Sequence, residues 1–181
     1  NLEIFLFFLF KVEAEIDLFT SRTLGIKWLK ELSQGSVYNI FKFFKEFSTT
    51  NSITTKIIAS KNSRDYRLKN ATESRNSDLI LVLHNIWSNA QRISSRSKGN
   101  VRVEFELTTN GIRITIANSG TIEEDYQNYI NGNLQDYPHR KDGLFLGYKG
   151  LEIIKDYSLK NEWTCKCYVK GSNTFFQIDI I

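Results

Sequence analysis

The chain has 181 residues, of which 41% are hydrophobic and 13% aromatic, with one proline and ten glycines. That composition excludes a disordered or fibrous chain and suffices for one domain with a substantial core. The net charge of +4 is mildly basic, which suits a phosphate-bearing ligand or an acidic partner without requiring either.

The opening NLEIFLFFLF is far shorter than the roughly 20 apolar residues of a bilayer span. It also lacks the basic start and small-residue cleavage site of a signal peptide. No membrane span is expected, and a cytoplasmic location is. With no methionine in the chain, a piece of a longer protein is expected. Residues 2–32 read as helix, with Leu24, Trp28, Leu29 and Leu32 in one stripe. Ser36 is placed to cap a second helix carrying Val37, Ile40, Phe41, Phe44 and Phe47 on one face. Residues 1–48 thus predict a helical segment, a hairpin suited to homodimerisation. Ser52 to Ser60 is a β-branched run and reads as a strand. Residues 61–77 are polar and read as loop.

A helix is predicted over 78–94, with Leu79, Leu83, Ile86, Ala90 and Ile93 on its core face. Asn85, Asn89, Arg92 and Arg96 form a separate narrow stripe. Two carboxamides and two guanidiniums in line suit an anion with a hydrated cation; a solvated polar flank is the alternative. Val101, Val103, Phe105 and Leu107 alternate with charged residues, Asn110–Gly111 signals a hairpin, and Ile112, Ile114 and Ile116 return. Residues 119–149 read as a glycine-rich loop. Gly150 opens a short helix, LEIIKDY, and two strands follow, Trp163 to Lys170 and Thr174 to Ile181. Cys165 and Cys167 share one side of a strand and read as reduced core thiols. The fold class is α+β, a two-layer α/β sandwich with a mixed or antiparallel sheet and helices on one face.

LHNIWSNAQRIS at 83–94 resembles the N-box of the GHKL ATPases in its sensor histidine kinase form, roughly N-L-x-x-N-A-x-K. Asn85, Ile86, Asn89 and Ala90 match, with Arg92 for the lysine. The later motifs keep the family's order: the hairpin VRVEFELTTNGIRITIA, the turn Asn118–Ser119–Gly120, a glycine-bearing lid at 121–149, the helix Gly150–Leu151–Glu152–Ile153–Ile154, and the ending Asn173–Thr174–Phe175. The resemblance implies the Bergerat ATP-binding fold over 49–181, with ATP and Mg²⁺ as ligands. It implies that Asn89 ligates the metal and that Asn85 takes the position where related ATPases activate water. Arg92 would contact phosphate, Asn118 would accept from the adenine amino group, and Thr174 would order that contact through water. Gly120, Gly143, Gly147 and Gly150 would form the turn and the lid. The implied partners are a response regulator or another signalling protein, in two-component phosphotransfer, with a homodimer through the N-terminal helices.

The chain departs from the pattern in three places. Asn118 stands for an aspartate, so its hydrogen bond to adenine is uncharged and weaker. Thr121–Ile122 replaces the second glycine of the turn. The lid glycines are widely spaced, with Phe145 and Tyr148 between them. The acceptor-histidine position of the family falls at Phe19, and no histidine precedes His84. His84 reads as a surface or packed residue and His139 as exposed. Two functions stand: an ATP-binding kinase domain, or an adaptor that keeps the fold and binds ATP weakly or not at all. Nucleic acid is not favoured, because aromatics do not interleave with Lys61, Arg64, Arg67 and Lys69. Asp125, Asp136 and Asp142 read as solvated lid charges.

Overall fold

The computed structural model describes residues 41, 55–68, 72–97, 99–136, 138 and 149–181. Apart from Phe41, which is helical, the segment expected as an N-terminal hairpin lies outside the described residues, and so do His139, Asp142, Gly143 and Gly147. The element order is β1 (Thr55–Ala59), α1 (Lys61–Asp65), α2 (Glu73–Ser97), β2 (Val101–Leu107), β3 (Ile112–Ser119), α3 (Glu124–Ile130), α4 (Lys149–Lys160), β4 (Thr164–Lys170) and β5 (Asn173–Ile180).

The strands form one sheet in the order β1-β2-β3-β5-β4. β1 runs parallel to β2, and the other neighbours are antiparallel. The expected mixed sheet is therefore present. Its register follows the alternation of the sequence. Val103, Ile116, Phe176 and Cys167 lie in one row across β2, β3, β5 and β4, and all four are at most 1% exposed. Alternate residues turn the other way and carry the polar face, where Arg113 holds Asp179 through two bonds of 2.7 and 2.9 Å. Helices α2 and α4 cover the apolar face.

Helix α2 is buried more broadly than its predicted stripe. Leu79, Leu83, Ile86 and Ala90 are buried as expected, Ile93 is half-buried, and Ile80, Val82 and Trp87 are buried too. A helix gripped by both a sheet and a second helix needs a wide apolar surface. Both cysteines are free thiols. Burial pushes the Cys165 thiol up to about 12 and Cys167 higher still, so neither is a reactive thiolate at neutral pH.

Two stretches read as loop contain helix. Within 61–77, Ser60 caps α1 by accepting from the Ser63 amide at 3.1 Å. Thr72 likewise accepts from Arg75 as α2 begins at Glu73. The first turns of α2 hide from a hydrophobic pattern because their buried residues, Asn76 and Asp78, are polar. Within 119–149, α3 buries Tyr126, Tyr129 and Ile130, a spacing of three and four that the surrounding glycines obscured. The Asn110–Gly111 hairpin exists, but as a four-residue connection closed by Thr108, whose amide reaches Gly111 O at 3.0 Å.

Candidate functional site

The apolar sheet face ends in two polar residues. Asn118 on β3 is paired with Thr174 on β5, and they are 1% and 0% exposed. Thr174 is satisfied, since its hydroxyl donates to Gly120 O at 2.8 Å. Gly120 has a φ of 102°, a conformation that favours glycine, and it turns the chain off β3. Asn118 is only half satisfied. Its Nδ2 donates to Ser119 O at 3.1 Å, while Oδ1 is buried with no hydrogen-bond partner. A buried acceptor left unpaired costs about 1–3 kcal/mol, so it calls for an explanation. Among the described residues it is the one such atom on a central strand of the sheet.

The amide flank of α2 lies beside the start of α4. Asn85 and Asn89 are one turn apart and half-buried. Asn85 Nδ2 donates to Leu81 O at 2.7 Å, which leaves Oδ1 as the outward group. A Cβ on Gly150 would sit 2.9 Å from that oxygen and 3.5 Å from Asn89 Nδ2. The glycine is therefore what lets α4 approach the two amides. The far end of α4 is fixed on the same stripe. Asp78 accepts from Lys160 Nζ and Asn161 Nδ2, each at 2.8 Å. Arg75 adds a bond to Asn161 O at 3.2 Å. Helix α4 thus runs antiparallel to α2, and its N-terminal end, where backbone N–H groups and the helix dipole favour an anion, rests on Asn85 and Asn89.

Of the residues singled out from the sequence, Asn85, Asn89 and Gly150 come together at one place. Asn118, Gly120 and Thr174 come together at the end of the central strands. Arg92 lies on α2, with its side chain outside the description. Sequence reasoning missed Asp78 and Asn161, which set the register of α4 on α2. Asp78 shares the helical stripe of Asn85, and that periodicity was the available signal.

No family model matches the chain, and no curated protein does. Solved structures match well. The blue-light activated histidine kinase of Erythrobacter litoralis EL346 superposes with a TM-score of 0.64 at 15% identity, over 92% of this chain and 49% of that one. The catalytic domain of the histidine kinase ThkA, in a nucleotide-free form, superposes at 0.56 and 20% identity, over 78% and 86%. This is the histidine kinase-like fold. Full-length ShkA, solved in complex with AMPPNP, has it too, at 0.57 and 18% identity over 79% of this chain and 30% of that one. The chain spans about half the length of the Erythrobacter kinase. Among the described residues no helix is long and apolar enough to cross a membrane.

Within the histidine kinase-like fold, Gly150 separates stability from the amide site. Alanine there adds up to about 1 kcal/mol of helix propensity, and the atom it meets is the movable end of Asn85 rather than backbone. Gly150→Ala is expected to keep the melting temperature or raise it while displacing the Asn85 amide. A heteronuclear NMR spectrum would show the side-chain amide resonances of Asn85 and Asn89 shifted while core methyl resonances stay in place.

Proposed function

We propose that residues 49–181 form the ATP-binding domain of a sensor histidine kinase-like signalling protein. The observation that carries the reading is the buried, unpartnered Oδ1 of Asn118. Its orientation is fixed by the bond from Nδ2 to Ser119, so it presents an acceptor and suits an exocyclic amino group such as that of adenine. The amide pair and Gly150 support the other end of the same ligand. Asn89 would hold Mg²⁺ through its amide oxygen, Asn85 would orient the reacting group, and the N-terminal end of α4 would receive phosphate. Arg92, Gly143 and Gly147 are assigned phosphate contacts by their sequence positions. Bound Mg²⁺ would supply the charge neutralisation on which phosphoryl transfer depends. That ShkA was solved with AMPPNP agrees with a nucleotide in this fold.

In this reading the domain serves a phosphotransfer pathway with a response regulator or another signalling protein as partner, and residues 1–48 serve as a dimerisation segment. An adaptor without catalysis is the second reading. It is favoured by the neutral amide at Asn118 and by Phe19 at the family's acceptor-histidine position.

Titration calorimetry with Mg-ADP and AMPPNP decides between them. Micromolar binding by the wild type is expected, lost in Asn89→Ala without loss of fold. Binding that survives Asn89→Ala would mean the phosphate end lies elsewhere. No binding up to millimolar nucleotide would leave the adaptor.

A further inference from the structure

β4 is an outermost strand of the sheet, and such a strand exposes main-chain groups that another strand can pair with. At its centre one side chain takes the place of a neighbouring strand. Asn131, the residue that ends α3, donates from Nδ2 to Cys167 O at 2.8 Å and accepts on Oδ1 from Cys167 N at 2.8 Å. Cys167 therefore points both main-chain groups away from β5. By the alternation of an antiparallel strand, Cys165 and Val169 point theirs outward as well. Neither has a main-chain partner beyond the sheet among the described residues.

We propose that Asn131 is a plug that keeps the β4 edge from pairing with β4 of a second copy of this chain. The sequence of the edge is compatible with itself. Antiparallel pairing about Cys167 sets Lys166 opposite Tyr168 and Lys170 opposite Thr164 of the other copy, with no like charges face to face. The amide of Asn131 occupies the central position that such a ladder must use. The plug is held independently of its own bonds, because Tyr126, Tyr129 and Ile130 anchor α3, and the Asn131 amide N–H is tied to Gln127 O at 2.9 Å. Losing the side chain thus frees both main-chain groups of Cys167 without removing the helix.

The test uses the full chain and two readouts, amide hydrogen exchange at Cys167 in dilute solution and sedimentation velocity over a range of concentrations. In Asn131→Ala, Cys167 is expected to exchange at least about tenfold faster and the chain to associate beyond the wild type. Adding Val169→Pro removes an outward donor at an edge position that tolerates proline and should abolish the extra association. Association through residues 1–48 would be common to every variant and so does not confuse the comparison. Should the alanine variant fail to fold, Asn131→Gly gives the same test, since glycine suits the end of a helix and also loses both the acceptor and the donor. Wild-type exchange and sedimentation in the variant, or extra association that persists with Val169→Pro, would overturn the proposal.

Discussion

Asn118→Leu is expected to yield a domain that is more stable than the wild type and no longer binds adenine nucleotide. Leucine is close to asparagine in shape and removes the buried unpartnered Oδ1, whose burial costs about 1–3 kcal/mol. It also gives up the Nδ2 bond to Ser119 O, worth about 0.5–1.5 kcal/mol. The difference is a gain of about 1 kcal/mol, or about 4 °C in melting temperature for a domain of this size. The amino group of the base would then meet an apolar side chain, and affinity should fall at least about tenfold. Calorimetric unfolding and nucleotide titration of the same sample check both halves. A variant that is less stable and binds as before would mean that Oδ1 serves the fold rather than a ligand.

Gly111→Ala is expected to be the most damaging small substitution in the sheet. A Cβ at this position would overlap the Ile180 carbonyl oxygen, with the carbonyl carbon 2.9 Å away. Those are main-chain atoms of β5, the strand paired with β3, so relief requires the two strands to part. Overpacking a well-filled site costs about 1–3 kcal/mol, and more when backbone must move. A loss of about 3 kcal/mol is expected, read as a lower urea midpoint with an unchanged slope. Asn110→Ala, one residue earlier on the exposed tip, should change the midpoint little.

The same glycine shows what was legible in the sequence. Asn110–Gly111 marks the hairpin correctly, but Gly111 is not among the glycines with positive φ. The residue is small because another strand passes over it, and a neighbour distant in sequence leaves no local trace. The alternating strands β2, β3 and β5 and the core stripe of α2 were legible because one face of each is buried and the other is not. The polar helix α1 and the first turns of α2 were not, because Ser60, Thr72 and Asp78 act through hydrogen bonds rather than periodicity. In the candidate site, the motifs gave Asn85, Asn89, Asn118 and Thr174. Only the structure joins Gly150 to the two amides and leaves Asn118 half paired.

The parallel pairing of β1 with β2 bears on the order in which the sheet assembles. β2 and β3, and likewise β4 and β5, meet across a few residues, and such hairpins close in about 1–10 μs. β1 meets β2 only after the chain has passed through α1 and α2. β3 meets β5 only after α3, α4 and β4, with partners as distant in sequence as Ile112 and Ile180. These two ladders therefore carry larger loop-closure entropy and higher contact order than the hairpins. Asn118 and Thr174 face each other across the β3–β5 ladder, so the two polar residues meet only when one hairpin docks on the other.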